Sequence, residues 1–363
     1  VIPLFKPSCS NEEIEAVTRV MKSGWWGMGP EVEAFESEFG NYVGARYAIA
    51  VSSGTAALEI AARATGQVNG SVIVPALTFV STAQAMAHAG NEVIFADIDP
   101  LTLCLDWDSV RHWLPSCESG TRAVVPVWYG GHVSGVPSDI LDDVAVIEDC
   151  AHAVGSLMAG KYGLASAWSF HAVKNLATGD GGMITTDSIM VARKARQLRW
   201  CGIDRSTYER DTVKGYGWDY NIPGDGHKAH MNDITAAIGR VQLRRLDDMN
   251  SERRRIACHY HEEFRNDPWL TRPAVEWESS MHLYVVRVAD RDRFVDHMIG
   301  QGVSAGVHYK PLTHYDSVRG KQTRHSLPVT ERVWKTLVTL PLYPDMTDGE
   351  VEQVINAVRS FKP

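Results

Sequence analysis

The chain is predicted to be an α/β protein: a large domain with a mostly parallel sheet flanked by helices, then a smaller C-terminal α+β domain. Three observations point there. Short β-branched runs recur at 47–51, 71–74, 92–96, 123–127 and 144–147. Helix-length stretches at about 54–65, 79–88 and 106–114 separate them. Beyond about residue 232 this alternation gives way to one long helical stretch and a different mixture of elements.

The five runs are four or five residues long and nearly continuous in apolar character, as in Tyr47-Ala-Ile-Ala-Val51 and Glu92-Val-Ile-Phe-Ala96. Strands buried on both faces read this way, and intervening helices are what a parallel sheet needs to return its chain. From about 232 to 265 the residues Ile234, Ile238, Val241 and Leu246 share one helical face, and the charged run Glu252-Arg-Arg-Arg255 follows. This is read as the bridge between a large domain, 1–245, and a small one, 246–363. The remainder carries strand candidates at 283–288 and near 303–307, with helices near 290–301 and 348–361.

With 363 residues the chain can bury a sizeable core. A formal charge of −8 argues against a nucleic-acid surface. The six cysteines have no CxxC spacing, so neither a zinc site nor a disulfide framework is expected, and a reducing cytoplasm is the expected location. The pairs His227/His230 and His259/His261 lack the carboxylates or cysteines that would complete a metal site. No apolar run reaches the roughly 20 residues of a membrane span, and the opening residues do not read as a signal peptide.

Chemistry is carried by two residues 25 positions apart (174 − 149): Asp149, directly after the 144–147 run, and Lys174 in Ser169-Phe-His-Ala-Val-Lys174. An aldehyde cofactor such as pyridoxal phosphate needs an amine to hold it and a carboxylate to keep its ring nitrogen protonated. Lys174 and Asp149 fit those roles, although an acid after a strand is also a common helix cap. In Val51-Ser-Ser-Gly-Thr-Ala-Ala-Leu58 a strand turns through glycine into a helix, which places the amides of Gly54 and Thr55 where a phosphate is favoured. An ordinary Ser/Thr cap is the alternative there. Ser169 offers a further hydroxyl to the phosphate. Phe79 is either a ring that lies against the cofactor or a core aromatic.

These segments resemble the DegT/DnrJ/EryC1/StrS sugar aminotransferases, within the fold-type I pyridoxal phosphate enzymes. The resemblance begins at Ser23-Gly-Trp-Trp-Gly-Met-Gly-Pro30 and passes through Glu148-Asp-Cys-Ala-His152, Met231-Asn-Asp-Ile-Thr-Ala-Ala-Ile-Gly239 and Val307-His-Tyr-Lys-Pro-Leu312 to Leu340-Pro-Leu-Tyr343. It implies Lys174 as the cofactor-bearing lysine, Asp149 as the ring-nitrogen partner, Gly54, Thr55 and Ser169 as phosphate binders, and Phe79 as the stacking aromatic. His152 falls where family members carry His, Gln or Glu near the cofactor's ring oxygen. His308 and Tyr309 fall in a His-Tyr stretch expected to meet substrate.

The resemblance also implies a homodimer in which a loop of one subunit completes the phosphate site of the other. Lys228 stands where many members have Asn, with Asn221 as the rival for that contact and a surface lysine as the plain alternative. Asp180 replaces a more frequent Glu. The implied reaction passes an amino group from an amino acid, with glutamate the expected donor, to a keto-sugar linked to a nucleoside diphosphate. A keto-cyclitol is the alternative acceptor, and a non-catalytic binding protein is the alternative outside enzymes. Lys174 argues against the dehydratase branch, which carries histidine there.

Overall fold

The computed structural model describes residues 1–117, 122–204, 219–316 and 327–363. Its larger sheet contains β1 (Tyr47–Val51), β2 (Ser71–Pro75), β3 (Glu92–Ala96), β4 (Arg122–Val124), β5 (Ala145–Asp149), β6 (Ala165–Ser169) and β7 (Gly182–Thr186). Their order across the sheet is β1-β7-β6-β5-β4-β2-β3. Only β7 runs against the rest, pairing antiparallel with both β6 and β1. The connection from Ser169 to Gly182 holds no helix, and β7 starts at the edge where β6 ends, with Gly182 opposite Ser169.

Alternating side chains divide the sheet's burial between two faces. Ala48, Ala50, Ile73 and Val146 face α2 (Pro30–Val43) and the first half of a long helix, through Phe35, Phe39, Ala236 and Leu243. Ile49, Val51, Val72, Val74 and Ile147 face α3 (Gly54–Ala64), α4 (Val80–His88) and α7 (Ile189–Leu198). Alanines at 57, 61, 83 and 85 let α3 and α4 lie close to the strands. Three further helices complete this part among the described residues: α1 (Asn11–Ser23), α5 (Trp107–Trp113) and α6 (Ser138–Asp143).

The long helix, α8 (Asp233–Glu263), runs through the expected boundary at residue 245. Its later residues Ile256, Ala257, Tyr260 and Phe264 enter a third core with Tyr284, Val286, Phe294, Leu340 and Val354. That core joins a three-stranded antiparallel sheet, β8 (Leu270–Thr271), β9 (Tyr284–Val288) and β10 (Leu337–Leu340), to α9 (Arg291–Gly300) and α11 (Asp348–Ser360). Ile2 lies in the same core, so the first residues of the chain pack with its last hundred.

Buried carboxylates tie these parts together. Asp233, at the first turn of α8, accepts backbone N–H bonds from Gly29, Glu31 and Val32, and so caps α2, whose own N-cap residue is a glycine. Asp97, after β3, accepts from the amides of Val329 and Thr330 and from the Thr330 hydroxyl, anchoring α10 (Pro328–Val333) on the large sheet. The expected strand at 303–307 is not formed. Val303 bridges Ile2 in parallel while Gly306 bridges Thr339 antiparallel, so this segment is held from two sides and builds no ladder with either.

Candidate active site

Parallel strands deliver their carboxyl ends to one edge of the sheet, and the site collects there. Asp149 ends β5, Ser169 ends β6, and the turn after β1 leads into α3. Register brings two of these together, because Gly182 of β7 lies opposite both Ser169 and Val51. A Cβ at Gly182 would come within 2.5 Å of the Ser53 backbone, and one at Gly54 within 2.8 Å of the Ser169 Cβ. Glycine at both positions is therefore what lets the turn before α3 approach the end of β6. Ser53 caps α3 by accepting from the Ala56 amide, which leaves the helix N-terminus facing the Ser169 hydroxyl.

A cavity of about 290 Å³ opens at this edge and is lined by Gly54, Thr55, Phe79, Asp149, His152, Ser169, Lys174, His308 and Tyr309. Nine of the ten residues singled out from the sequence thus meet around one space. The tenth, Lys228, does not line it: its ammonium lies 4.0 Å from the centre of the Trp200 ring of its own chain. Asn221 is exposed, and its backbone pairs with Asp204. Asp180 lines the cavity from an exposed position. Trp218, at the start of the loop that departs from the family pattern, lies outside the described residues.

Asp149 is 4 % exposed. Its two oxygens accept from the Ala151 amide at 3.1 Å and the Thr82 hydroxyl at 2.7 Å. Burial raises its pKa, and Thr82, the Ala151 amide and the charge of Lys174 oppose that rise. Burial brings Lys174 down to about 8, with the negative charge of Asp149 acting against the drop. An amine and a carboxylate that each perceive the other's charge across a cavity suit a ring held between them.

His152 has a defined tautomer. Burial, and then the positive charge of Lys174, drive its pKa well below the ordinary histidine value, so the ring is neutral. Its Nδ1 accepts from the Gly130 amide at 3.3 Å. The proton therefore sits on Nε2, which donates to the Tyr309 hydroxyl at 3.1 Å. His282 packs against the same ring with centroids 4.4 Å apart, and its Nδ1 meets the Asn175 side-chain oxygen at 2.8 Å. Tyr129 donates to the carbonyl of His308, whose own Nδ1 lies 2.8 Å from the Thr339 hydroxyl. The Phe79 ring stands 55 % exposed at the rim, 6.0 Å from the Tyr309 ring.

Four contributors escaped the sequence reading. Ser81 lies 2.7 Å from the Thr55 hydroxyl, Thr82 reaches Asp149, His282 packs on His152, and Asn175 meets His282. Thr78 stands just ahead of the helix candidate and Thr82 inside it, and their spacing of four does not by itself name Asp149 as a partner. Nothing local marks His282, which arrives from the far side of α8.

The residues fit pyridoxal phosphate. A glycine-lined helix N-terminus suits its phosphate, a buried carboxylate its ring nitrogen, and an amine of lowered pKa its aldehyde. Among the described residues no cluster of His, Cys, Asp and Glu could hold a metal ion.

The model of the DegT/DnrJ/EryC1/StrS aminotransferase family matches residues 7–359. Over 99% of this chain and 97% of the relative, the sequence is 38% identical to the spore coat polysaccharide biosynthesis protein SpsC of Bacillus subtilis (strain 168). Among solved structures, the aminotransferase TlmJ from Streptoalloteichus hindustanus superposes with a TM-score of 0.88 at 32% identity, covering 99% of this chain and 98% of that one. The PMP form of the sugar aminotransferase Spr1654 from Streptococcus pneumoniae gives 0.89 at 26% identity, with coverages of 99% and 98%. With its fold, its cavity and these relatives in agreement, the chain belongs to the DegT/DnrJ/EryC1/StrS family of sugar aminotransferases, pyridoxal phosphate-dependent transaminases.

Proposed function

We propose that this transaminase moves an amino group from L-glutamate to a keto-sugar carried on a nucleoside diphosphate, releasing 2-oxoglutarate and an amino sugar. The observation that carries the site assignment is that Lys174 and Asp149 line one cavity of about 290 Å³ together with Gly54 and Thr55 of the α3 N-terminus. The relative named for spore coat polysaccharide biosynthesis supports a sugar destined for a surface polymer.

Bound pyridoxal phosphate supplies a carbonyl that accepts the amine and a ring that withdraws electrons. The chain's own groups do the rest. Lys174 holds the cofactor and, once displaced by the incoming amine, takes the proton from the donor α-carbon; a pKa of about 8 makes it an effective base near neutrality. Asp149 stays ionised opposite the ring nitrogen. Gly54, Thr55 and Ser169 hold the phosphate, and Phe79 covers the ring. Because His152 Nε2 donates to Tyr309, the Tyr309 hydroxyl directs its own proton to an oxygen of the bound sugar, with His308 beside it.

We further propose that 1–245 and 246–363 act as large and small domains, and that the enzyme works as a cytoplasmic homodimer whose partner loop around Lys228 completes the phosphate site. No helix among the described residues is long and apolar enough to cross a membrane.

The test is to load the protein with pyridoxal phosphate and follow its visible absorbance on adding L-glutamate. Loss of the band with stoichiometric 2-oxoglutarate supports glutamate as donor, and an unmoved band refutes it. Turnover is then compared between nucleotide-linked keto-sugars and nucleotide-free keto-cyclitols. Preference for the cyclitol overturns the proposed acceptor. Sedimentation across a dilution series tests the dimer, and an active monomer refutes it.

A further inference from the structure

We propose that Thr82 is a positioning residue whose hydroxyl keeps Asp149 an anion opposite the cofactor's ring nitrogen, with Thr78 orienting that hydroxyl. The proposal rests on the reading of Asp149 as the ring-nitrogen partner.

Thr82 lies in the first turn of α4, is 1 % exposed, and approaches an Asp149 oxygen at 2.7 Å. Its oxygen is also 2.9 Å from the Thr78 hydroxyl, itself buried. Polarity along this row is forced. An ionised carboxylate only accepts, so Thr82 must spend its one proton on Asp149, and Thr78 must then donate to Thr82. Two hydroxyl dipoles thus point in line at one carboxylate oxygen while the Ala151 amide points at the other. Bonds to an ionised acceptor are about twice as strong as neutral ones.

A structural role would look different. A threonine on a helix can turn its hydroxyl back to the carbonyl four residues earlier, as Thr65, the C-cap of α3, does to Ala61 at 2.8 Å. Thr82 instead turns its hydroxyl to the Thr78 side chain and to the strand that ends in Asp149. Moreover, the N-cap of α4 is Phe79, with no side-chain hydrogen bond capping the helix, so these hydroxyls do not serve to start it. The surroundings otherwise favour a neutral carboxyl: burial is the largest influence on Asp149, and Thr82 is the largest opposing one. Without this row, Asp149 would compete with the ring nitrogen for the proton that makes the ring electron-withdrawing.

The experiment compares wild type, Thr82→Val and Thr82→Ser, each loaded with pyridoxal phosphate labelled with nitrogen-15 in the ring. Valine keeps the shape and removes the hydroxyl, whereas serine keeps the hydroxyl. Two quantities are read: the ring-nitrogen resonance and the cofactor dissociation constant. The valine enzyme should show the resonance moved toward unprotonated pyridine and bind cofactor roughly tenfold or more weakly, the range for losing a hydrogen bond to a charged group. Serine should restore both.

A valine enzyme with the wild-type resonance overturns the proposal, including when affinity falls, since that pattern marks packing alone. If Thr82→Val does not fold, Thr78→Val takes its place: a smaller shift in the same direction supports the row, and no shift overturns it. Asp149→Asn separates the two levels. If it leaves the resonance at the wild-type position, the reading of Asp149 itself fails, whatever Thr82 does.

Discussion

Lys174 should capture pyridoxal phosphate with a pH dependence that ordinary lysines do not show. Only the neutral amine attacks an aldehyde, and a pKa of about 8 leaves roughly one amine in ten neutral at pH 7, against fewer than about one in a thousand for a free lysine. The cause is burial, moderated by the charge of Asp149. The rate of covalent capture by apoenzyme should therefore rise about tenfold per pH unit below 8 and level off above it. Replacing Asp149 with alanine removes the influence that holds the value up, so the plateau should begin at lower pH. Stopped-flow absorbance on mixing apoenzyme with cofactor, from pH 6 to 10, measures both curves. A rate still climbing tenfold per unit at pH 9.5 would refute the burial argument, and an unchanged curve in the Asp149 variant would refute the coupling.

Other consequences are open to direct measurement. Gly54→Ala should put a methyl against Ser169 in a packed turn, costing about 1–3 kcal/mol, visible as a lower Tm, with weaker cofactor binding; unchanged values would mean the turn yields freely. Asp233→Ala should strip the cap from α2 and cost about 1–3 kcal/mol, read from the urea midpoint at constant m; a change under about 0.5 kcal/mol would show that water replaces the carboxylate. The apoprotein should gain stability as pH rises between about 8 and 10.5. Lys174 is neutral there when folded and charged when unfolded, so the unfolded chain binds the extra proton. The difference between wild type and Lys174→Met over that window checks the sign.

The sequence was most legible where a single physical demand left its mark locally. Continuous apolar runs marked β1, β2 and β5 because those strands are buried on both faces, and β3 because its last three residues are. That signal was missing for β6 and β7, whose Ala-Ser-Ala-Trp-Ser and Gly-Met-Ile-Thr-Thr carry hydroxyls in the interior. There Ser166 meets Glu148 and Thr185 accepts from the Trp168 indole, partners no local pattern announces. The turn before α3 and Asp149 were readable because each closes a marked strand, and Lys174 because its amine completes the chemistry that the carboxylate of Asp149 implies. Thr82 and His282 were not, since their roles depend on which elements pack together. The segment at 303–307 was misleading: it has the composition of a strand, yet its two bridging residues face different partners.

Lys174 is the amine on which the whole site turns. The direct test is to treat the cofactor-loaded enzyme with borohydride, digest it, and locate the reduced pyridoxyl phosphate by peptide mass. Label confined to the peptide bearing Lys174, and absent in Lys174→Ala with the fold intact by circular dichroism, is the expected result. Label on another lysine, or stoichiometric label surviving in the alanine variant, would contradict the assignment.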